Sequence, residues 1–172
     1  MAKRRMDAVE ALKLAMERER GANKFYRQAA DKIKDLNGKK MFKWLAKEES
    51  RHLAKLRQQL RSVVDNSKWL EWRRTTAPIE RTEFPPPSEV TGRVEVGAGE
   101  RDALRLAIQA EKEAIDFYKE AEDSTPDPHG KAMFKALARE EEGHLALLEA
   151  ELQWITQSRK YFTLHRFTLR AD

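Results

Sequence analysis

Residues 41–60 read MFKWLAKEESRHLAKLRQQL, and residues 133–152 read MFKALAREEEGHLALLEAEL. Twelve of these twenty positions are identical, at an offset of 92. Upstream of each, residues 11–30 (ALKLAMERERGANKFYRQAA) and residues 103–122 (ALRLAIQAEKEAIDFYKEAE) share nine of twenty positions at the same offset. A single offset for both segments means that the repeated unit is a pair of elements, present twice.

Each element has the period of a helix. Leu12, Ala15, Glu19, Ala22 and Tyr26 recur at spacings of three and four, and Leu104, Ala107, Glu111, Ala114 and Tyr118 match them. Phe42, Leu45, Glu49, His52 and Leu56 do the same, as do Phe134, Leu137, Glu141, His144 and Leu148. Ala, Leu, Glu, Lys and Arg dominate, all good helix formers. Turn chemistry falls at Asn37-Gly38 and over residues 124–130, STPDPHG. The expected helices are 6–35, 39–64, 100–123 and 130–157, forming two hairpins, 6–64 and 100–157, within one domain over 1–172. Residues 65–99 hold Pro78, Pro85-Pro86-Pro87, Gly92, Gly97 and Gly99, which excludes a helix interior. A single long crossover of this kind belongs to ferritin-like bundles. The fold expected is therefore all-α, a ferritin-like four-helix bundle built from two duplicated hairpins. Trp69, Leu70 and Trp72 are expected to cap one end of it, and the tail, 158–172, to fold back on the bundle.

The informative residues are polar ones on the apolar stripes. Glu19 and Glu111 interrupt the stripes of the first and third helices, and Glu49/His52 and Glu141/His144, spaced i, i+3, interrupt those of the second and fourth. At 1.5 Å rise per residue, counting from the turns, all six fall in one slab near mid-bundle. A buried ionised carboxylate is costly unless it is paired or metal-bound, and four together repel or take up protons. Two divalent cations cancel four negative charges. A Glu from each of two helices plus Glu-x-x-His from each of the other two is the ligand set of di-iron and di-manganese carboxylate bundles. Glu19, Glu49, His52, Glu111, Glu141 and His144 are therefore the expected metal-binding and catalytic residues, holding two iron ions or, alternatively, manganese. Tyr26 and Tyr118, two turns after Glu19 and Glu111, are expected to hydrogen-bond a ligand carboxylate from outside. Glu48 and Glu140 are rotated about 100° from the stripe and read as solvated or as supports to the ligands. Gly21 and Gly143 would leave room for a small oxidant. His129 and His165 are expected to bind no metal.

Composition narrows the chemistry. The 172 residues contain no Cys, which removes disulfides, thiolate zinc sites and cysteine-ligated clusters. No apolar run approaches the roughly 20 residues that span a bilayer, and no apolar segment follows the basic start MAKRR; a cytoplasmic location is the expectation. The net charge of +5 is uneven: residues 1–64 carry +10, 65–99 carry −1 and 100–172 carry −4. The basic residues are spread around the helices without interleaved aromatics, a pattern that argues against nucleic acid as partner.

At these residues the chain resembles the ferritin-like superfamily, and its rubrerythrin-like branch in particular. The resemblance is carried by Ala15-Met16-Glu17-Arg18-Glu19-Arg20-Gly21-Ala22 with Phe25-Tyr26, by Leu45–Leu53, and by the second copies around Ala110-Glu111, Phe117-Tyr118 and Leu137–Leu145. It covers about residues 6–64 and 100–157. It implies a non-haem di-iron centre bridged by carboxylates, hydrogen peroxide or O2 as oxidant, and oxidation of Fe(II); a homo-oligomer, a dimer, is the expected assembly. Two features depart from the family pattern. Rubrerythrins proper carry a Cys-rich rubredoxin domain, so electrons here must come from a separate donor protein or from Fe(II) itself. They also tend to carry an extra Glu where this chain has Ala114, which makes the set more like the symmetric one of bacterioferritins. The competing readings are iron handling or storage without an external substrate, and a metal-stabilised binding module.

Overall fold

A computed structural model describes residues 7–75 and 98–158. They form four long helices: α1 (Ala8–Lys32), α2 (Leu36–Asn66), α3 (Ala98–Ser124) and α4 (Pro128–Ser158), with a short 3₁₀ turn at Trp72–Arg74 between α2 and α3. The architecture is the all-α ferritin-like bundle. α1 packs most extensively on α2, and α3 on α4. No helix among the described residues is long and apolar enough to cross a membrane. The remainder of the crossover, 76–97, and the tail from 159 lie outside the described residues, as does His165.

Both hairpin turns are set by an aspartate. Asp35 accepts from the backbone N–H of Asn37 at 2.8 Å and of Gly38 at 3.0 Å. Asp127, 92 residues on, accepts from His129 at 2.8 Å and Gly130 at 3.1 Å. Each satisfies two of the donors that a helix start leaves without partners. Asn37-Gly38 is therefore the first turn of α2 and not the reversal, which lies at residues 33–35; likewise α4 begins at Pro128, a residue suited to a first helical position. Gly130 serves contact and not a turn. A Cβ there would lie 2.6 Å from Thr125 Cγ2 and 2.9 Å from the Trp69 ring.

α2 ends at Ser67, which adopts the left-handed conformation (φ 53°) that closes many helices. The chain then turns back over the bundle. Gln59 holds it by accepting from Leu70 N at 2.9 Å and donating to Leu70 O at 2.8 Å. Trp69 sets its edge against Phe134 at 5.9 Å, and Trp72 is buried beneath the Lys55 ammonium. The capping expected of Trp69 and Trp72 is thus present, whereas Leu70 is exposed and is held by its backbone.

The core is in two parts. One contains Tyr26, Phe42, Leu45, Leu104, Leu148 and Ile155; the other contains Leu12, Ala15, Leu56, Tyr118, Phe134 and Leu137. Every helix runs from one part to the other, and between them each carries its polar residues: Glu19 between Ala15 and Tyr26, Glu49 and His52 between Leu45 and Leu56, Glu111 between Ala107 and Phe117, Glu141 and His144 between Ala138 and Leu147. A polar layer crosses the bundle with an apolar cluster above and below it. Truncating a fully buried leucine flanking it, such as Leu45 or Leu137, would cost about 2–5 kcal/mol.

Candidate metal centre

The layer is almost closed to solvent. Glu19, Glu49, His52, Glu111, Glu141 and His144 are 0–4% exposed. Both imidazoles present Nδ1 to the carboxylates. His52 Nδ1 lies 3.2 Å from Glu19, 3.3 Å from Glu49 and 3.1 Å from Glu141. His144 Nδ1 lies 2.8 Å from Glu141, 3.3 Å from Glu49 and 3.7 Å from Glu111. The two rings stack with centroids 5.7 Å apart. Two groups of four donors result, Glu19/Glu49/His52/Glu141 and Glu49/Glu111/Glu141/His144, each with its ligand atoms within 4.8 Å of one another. Glu49 and Glu141 belong to both groups, while Glu19 and Glu111 belong to one each.

The structure brings together all six residues singled out from the sequence, and it adds what surrounds them. Tyr26 donates to Glu111 and Tyr118 to Glu19. Each tyrosine reaches the glutamate of the other hairpin, because α1 and α3 run antiparallel and set the two residues side by side. Glu140, half-buried, lies 2.7 Å from His52 Nε2. Glu48 instead pairs with Arg51 on its own helix. The indole of Trp44 stands edge-on to His144, at 5.6 Å. Gly21 is exposed and opens onto solvent, not onto the layer. Ala114 is half-buried against the second apolar cluster. Glu17, Glu113, Glu142 and His129 are exposed.

Burial and mutual charge sort the protons. Burial, then the charge of Glu49, holds Glu19 well above the usual carboxyl range. Burial, then Glu141 and Glu49, pushes Glu111 up to about 9. Glu49 and Glu141 go the other way: burial opposes their charge, but hydrogen bonds from Glu19, His144 and His52 to Glu49, and the two imidazolium charges around Glu141, outweigh it. Burial works against charge on His52 and His144, yet the carboxylates, Glu141 foremost, hold both well above the usual imidazole value. The phenols of Tyr26 and Tyr118 are raised by burial and by Glu111 and Glu19 respectively, so both stay protonated as donors. Burial also opposes charge on Glu140, but the His52 hydrogen bond and charge, with Lys55 and Arg51, bring it down to about 2. In the metal-free layer these directions favour protons on Glu19, Glu111 and both imidazoles, and charge on Glu49 and Glu141.

These residues fit metal ions. Three carboxylates and one imidazole in each group are hard donors suited to first-row divalent ions. Four carboxylates balance two divalent charges with the imidazoles neutral, so the layer is neutral when loaded. Glu49 Oε1 is buried, and its nearest donor, His144 Nδ1 at 3.3 Å, does not meet it in good hydrogen-bond geometry, a cost that a cation removes.

Sequence reasoning did not find the specific support from Glu140, nor Arg51 and Trp44. One signal was available: Arg51/Gly143 and Trp44/Ala136 are places where the repeat breaks beside the ligands.

A solved structure described only as a hypothetical protein from Pyrococcus furiosus is similar over 91% of this chain and 94% of its own, with a TM-score of 0.67 and 32% identity. No curated protein matches the chain. The family model described as Rubrerythrin matches residues 10–152, a span that includes all four helices' contributions to the polar layer. The chain belongs to the rubrerythrin family.

Proposed function

We propose that the chain is a non-haem di-iron oxidoreductase of rubrerythrin type, oxidising Fe(II) with, or reducing, hydrogen peroxide or O2 at a carboxylate-bridged dinuclear site. The observation that carries this reading is the sharing of Glu49 and Glu141 between two buried four-donor groups. Glu49 and Glu141 would bridge, Glu19 and His52 would complete one position, and Glu111 and His144 the other. The chemistry such a pair of ferrous ions supplies is one electron each, which with two protons reduces hydrogen peroxide to two waters.

The chain's own residues do the rest. Tyr26 and Tyr118 orient the two non-bridging carboxylates by donating to them. The apolar clusters on either side keep bulk water from the layer and strengthen its electrostatics. Imidazole in each group favours iron over manganese in the usual affinity order. Returning electrons would come from a separate donor protein or from further Fe(II).

The test is anaerobic loading with Fe(II), followed by rapid mixing with hydrogen peroxide or with O2. Uptake of about two irons per chain, and oxidation of both per peroxide with ferric absorption in the near ultraviolet, is expected. Uptake well below two, or oxidation no faster than that of Fe(II) in buffer, contradicts the reading. A small species that stops at two irons excludes storage.

A further inference from the structure

The repeat makes the two halves of the site alike in their ligands, and the fold makes them unlike just outside. Each half carries an outer glutamate one residue before its ligand glutamate: Glu48 and Glu140. Glu140 lies 2.7 Å from His52 Nε2, the ring nitrogen that faces away from the carboxylates. The same relation at an offset of 92 would set Glu48 on His144 Nε2. Glu48 is instead drawn to Arg51, one turn along its own helix. The counterpart of Arg51 is Gly143, so Glu140 has no such partner on its own helix; Arg51 reaches it only from α2, at 3.6 Å, and leaves the 2.7 Å contact with His52 in place. On the other side the Trp44 ring stands edge-on to His144, where the counterpart of Trp44 is Ala136. Among the described residues no carboxylate takes the outer nitrogen of His144.

We infer that Glu140 is a positioning residue that makes the two metal positions inequivalent, so that the position facing His52 fills first and holds its ion more tightly. The inference rests on the dinuclear reading above. An imidazole that binds metal through Nδ1 must keep its proton on Nε2. A carboxylate accepting from Nε2–H fixes that tautomer, locks the ring and raises the basicity of Nδ1. His52 has this support before any metal arrives. His144 must settle its tautomer and ring angle on binding. Losing such a carboxylate typically weakens metal binding by about 10–100-fold, which sets the expected gap between the two positions.

The test is calorimetric titration of the metal-free full chain with Co(II), together with proton NMR of the Co(II)-loaded protein. The native chain should bind two ions in steps separated by about 10–100-fold. Of the two shifted, exchangeable imidazole N–H resonances, one should exchange slowly with solvent. Glu140→Ala should weaken the tighter step by about the same factor and make the slow resonance exchange fast. Glu140→Gln, whose amide oxygen can accept, should fall between. Glu48→Ala should leave both steps in place. Arg51→Gly, which copies Gly143 and also removes the 3.6 Å contact of Arg51 with Glu140, should release Glu48 towards His144 and narrow the gap by tightening the weaker step, a gain that neither a damaged fold nor a loosened Glu140 would give. Two equal steps in the native chain, or an Arg51→Gly gap as wide as the native one, overturns the inference while leaving the dinuclear reading intact. Absence of Co(II) binding overturns both.

Discussion

Loading the site with metal should expel about four protons per chain near pH 6.5. The count follows from the layer itself. Glu19 and Glu111 are held protonated by burial and by the charges of Glu49 and Glu141, with Glu111 raised to about 9. His52 and His144 are held protonated against burial, chiefly by Glu141. Glu49 and Glu141 are already ionised. Two divalent ions need all four carboxylates charged and both imidazoles neutral, so two carboxyl protons and two imidazolium protons must leave. Each released proton makes binding tighter by about 1.4 kcal/mol per pH unit. Four amount to about 5 kcal/mol per pH unit for the pair, or about 100-fold per ion. Calorimetric titration with Co(II) at pH 6.5, in buffers of differing ionisation enthalpy, gives the proton number directly as the slope of observed heat against buffer enthalpy. Release of one proton or none would refute this charge pattern, because the ions would then be entering a layer already ionised.

Four further outcomes are expected. Glu49→Ala and Glu141→Ala remove a donor common to both groups and should each abolish tight binding of two ions, whereas Glu19→Ala should spare the His144 position and retain about one ion; metal analysis after dialysis distinguishes them. Tyr118→Phe strips the donor from buried Glu19 and should lower stability by about 1–3 kcal/mol, read from denaturant midpoints at constant slope. Gly130→Ala drives a methyl into Thr125 and Trp69 and should cost about 1–3 kcal/mol by the same measurement. Metal-free stability should fall as pH rises from about 5 to 9. Glu111, Glu19 and both histidines have folded values above their unfolded ones, so their contribution is complete at low pH and is lost as pH passes through the folded values, about 9 for Glu111. The metal-loaded chain should not show that fall in a thermal melt.

The fold was legible because duplication doubled every signal. A lone Glu-x-x-His on a Glu-rich helix says little, but Glu49/His52 and Glu141/His144 at one offset, each with a glutamate on the preceding stripe, specify four helices and a common layer. The first turn was misplaced because Asn37-Gly38 looks like a reversal, whereas the second falls within the expected 124–130; Asp35, two residues before Asn37, is the stronger determinant, since its carboxylate caps the helix that Asn37 and Gly38 then enter. The crossed tyrosine pairs, Tyr26 with Glu111 and Tyr118 with Glu19, were beyond sequence reading because they depend on how α1 and α3 lie across the bundle. So was the split between shared Glu49 and Glu141 and unshared Glu19 and Glu111, which depends on side-chain direction within one layer. The contrast between Glu48 and Glu140 turns on Arg51, which holds Glu48 on its own helix and reaches Glu140 only at 3.6 Å, where the other half has a glycine.

The central claim is that the shared carboxylates hold a pair of iron ions. It is tested most directly by diffraction at the iron absorption edge from crystals of the chain loaded with Fe(II) under anaerobic conditions. Two anomalous peaks should appear in the layer, one beside Glu19 and His52 and the other beside Glu111 and His144, with Glu49 and Glu141 reaching both. A layer without iron under saturating metal, or iron bound only at residues outside it, would contradict the claim.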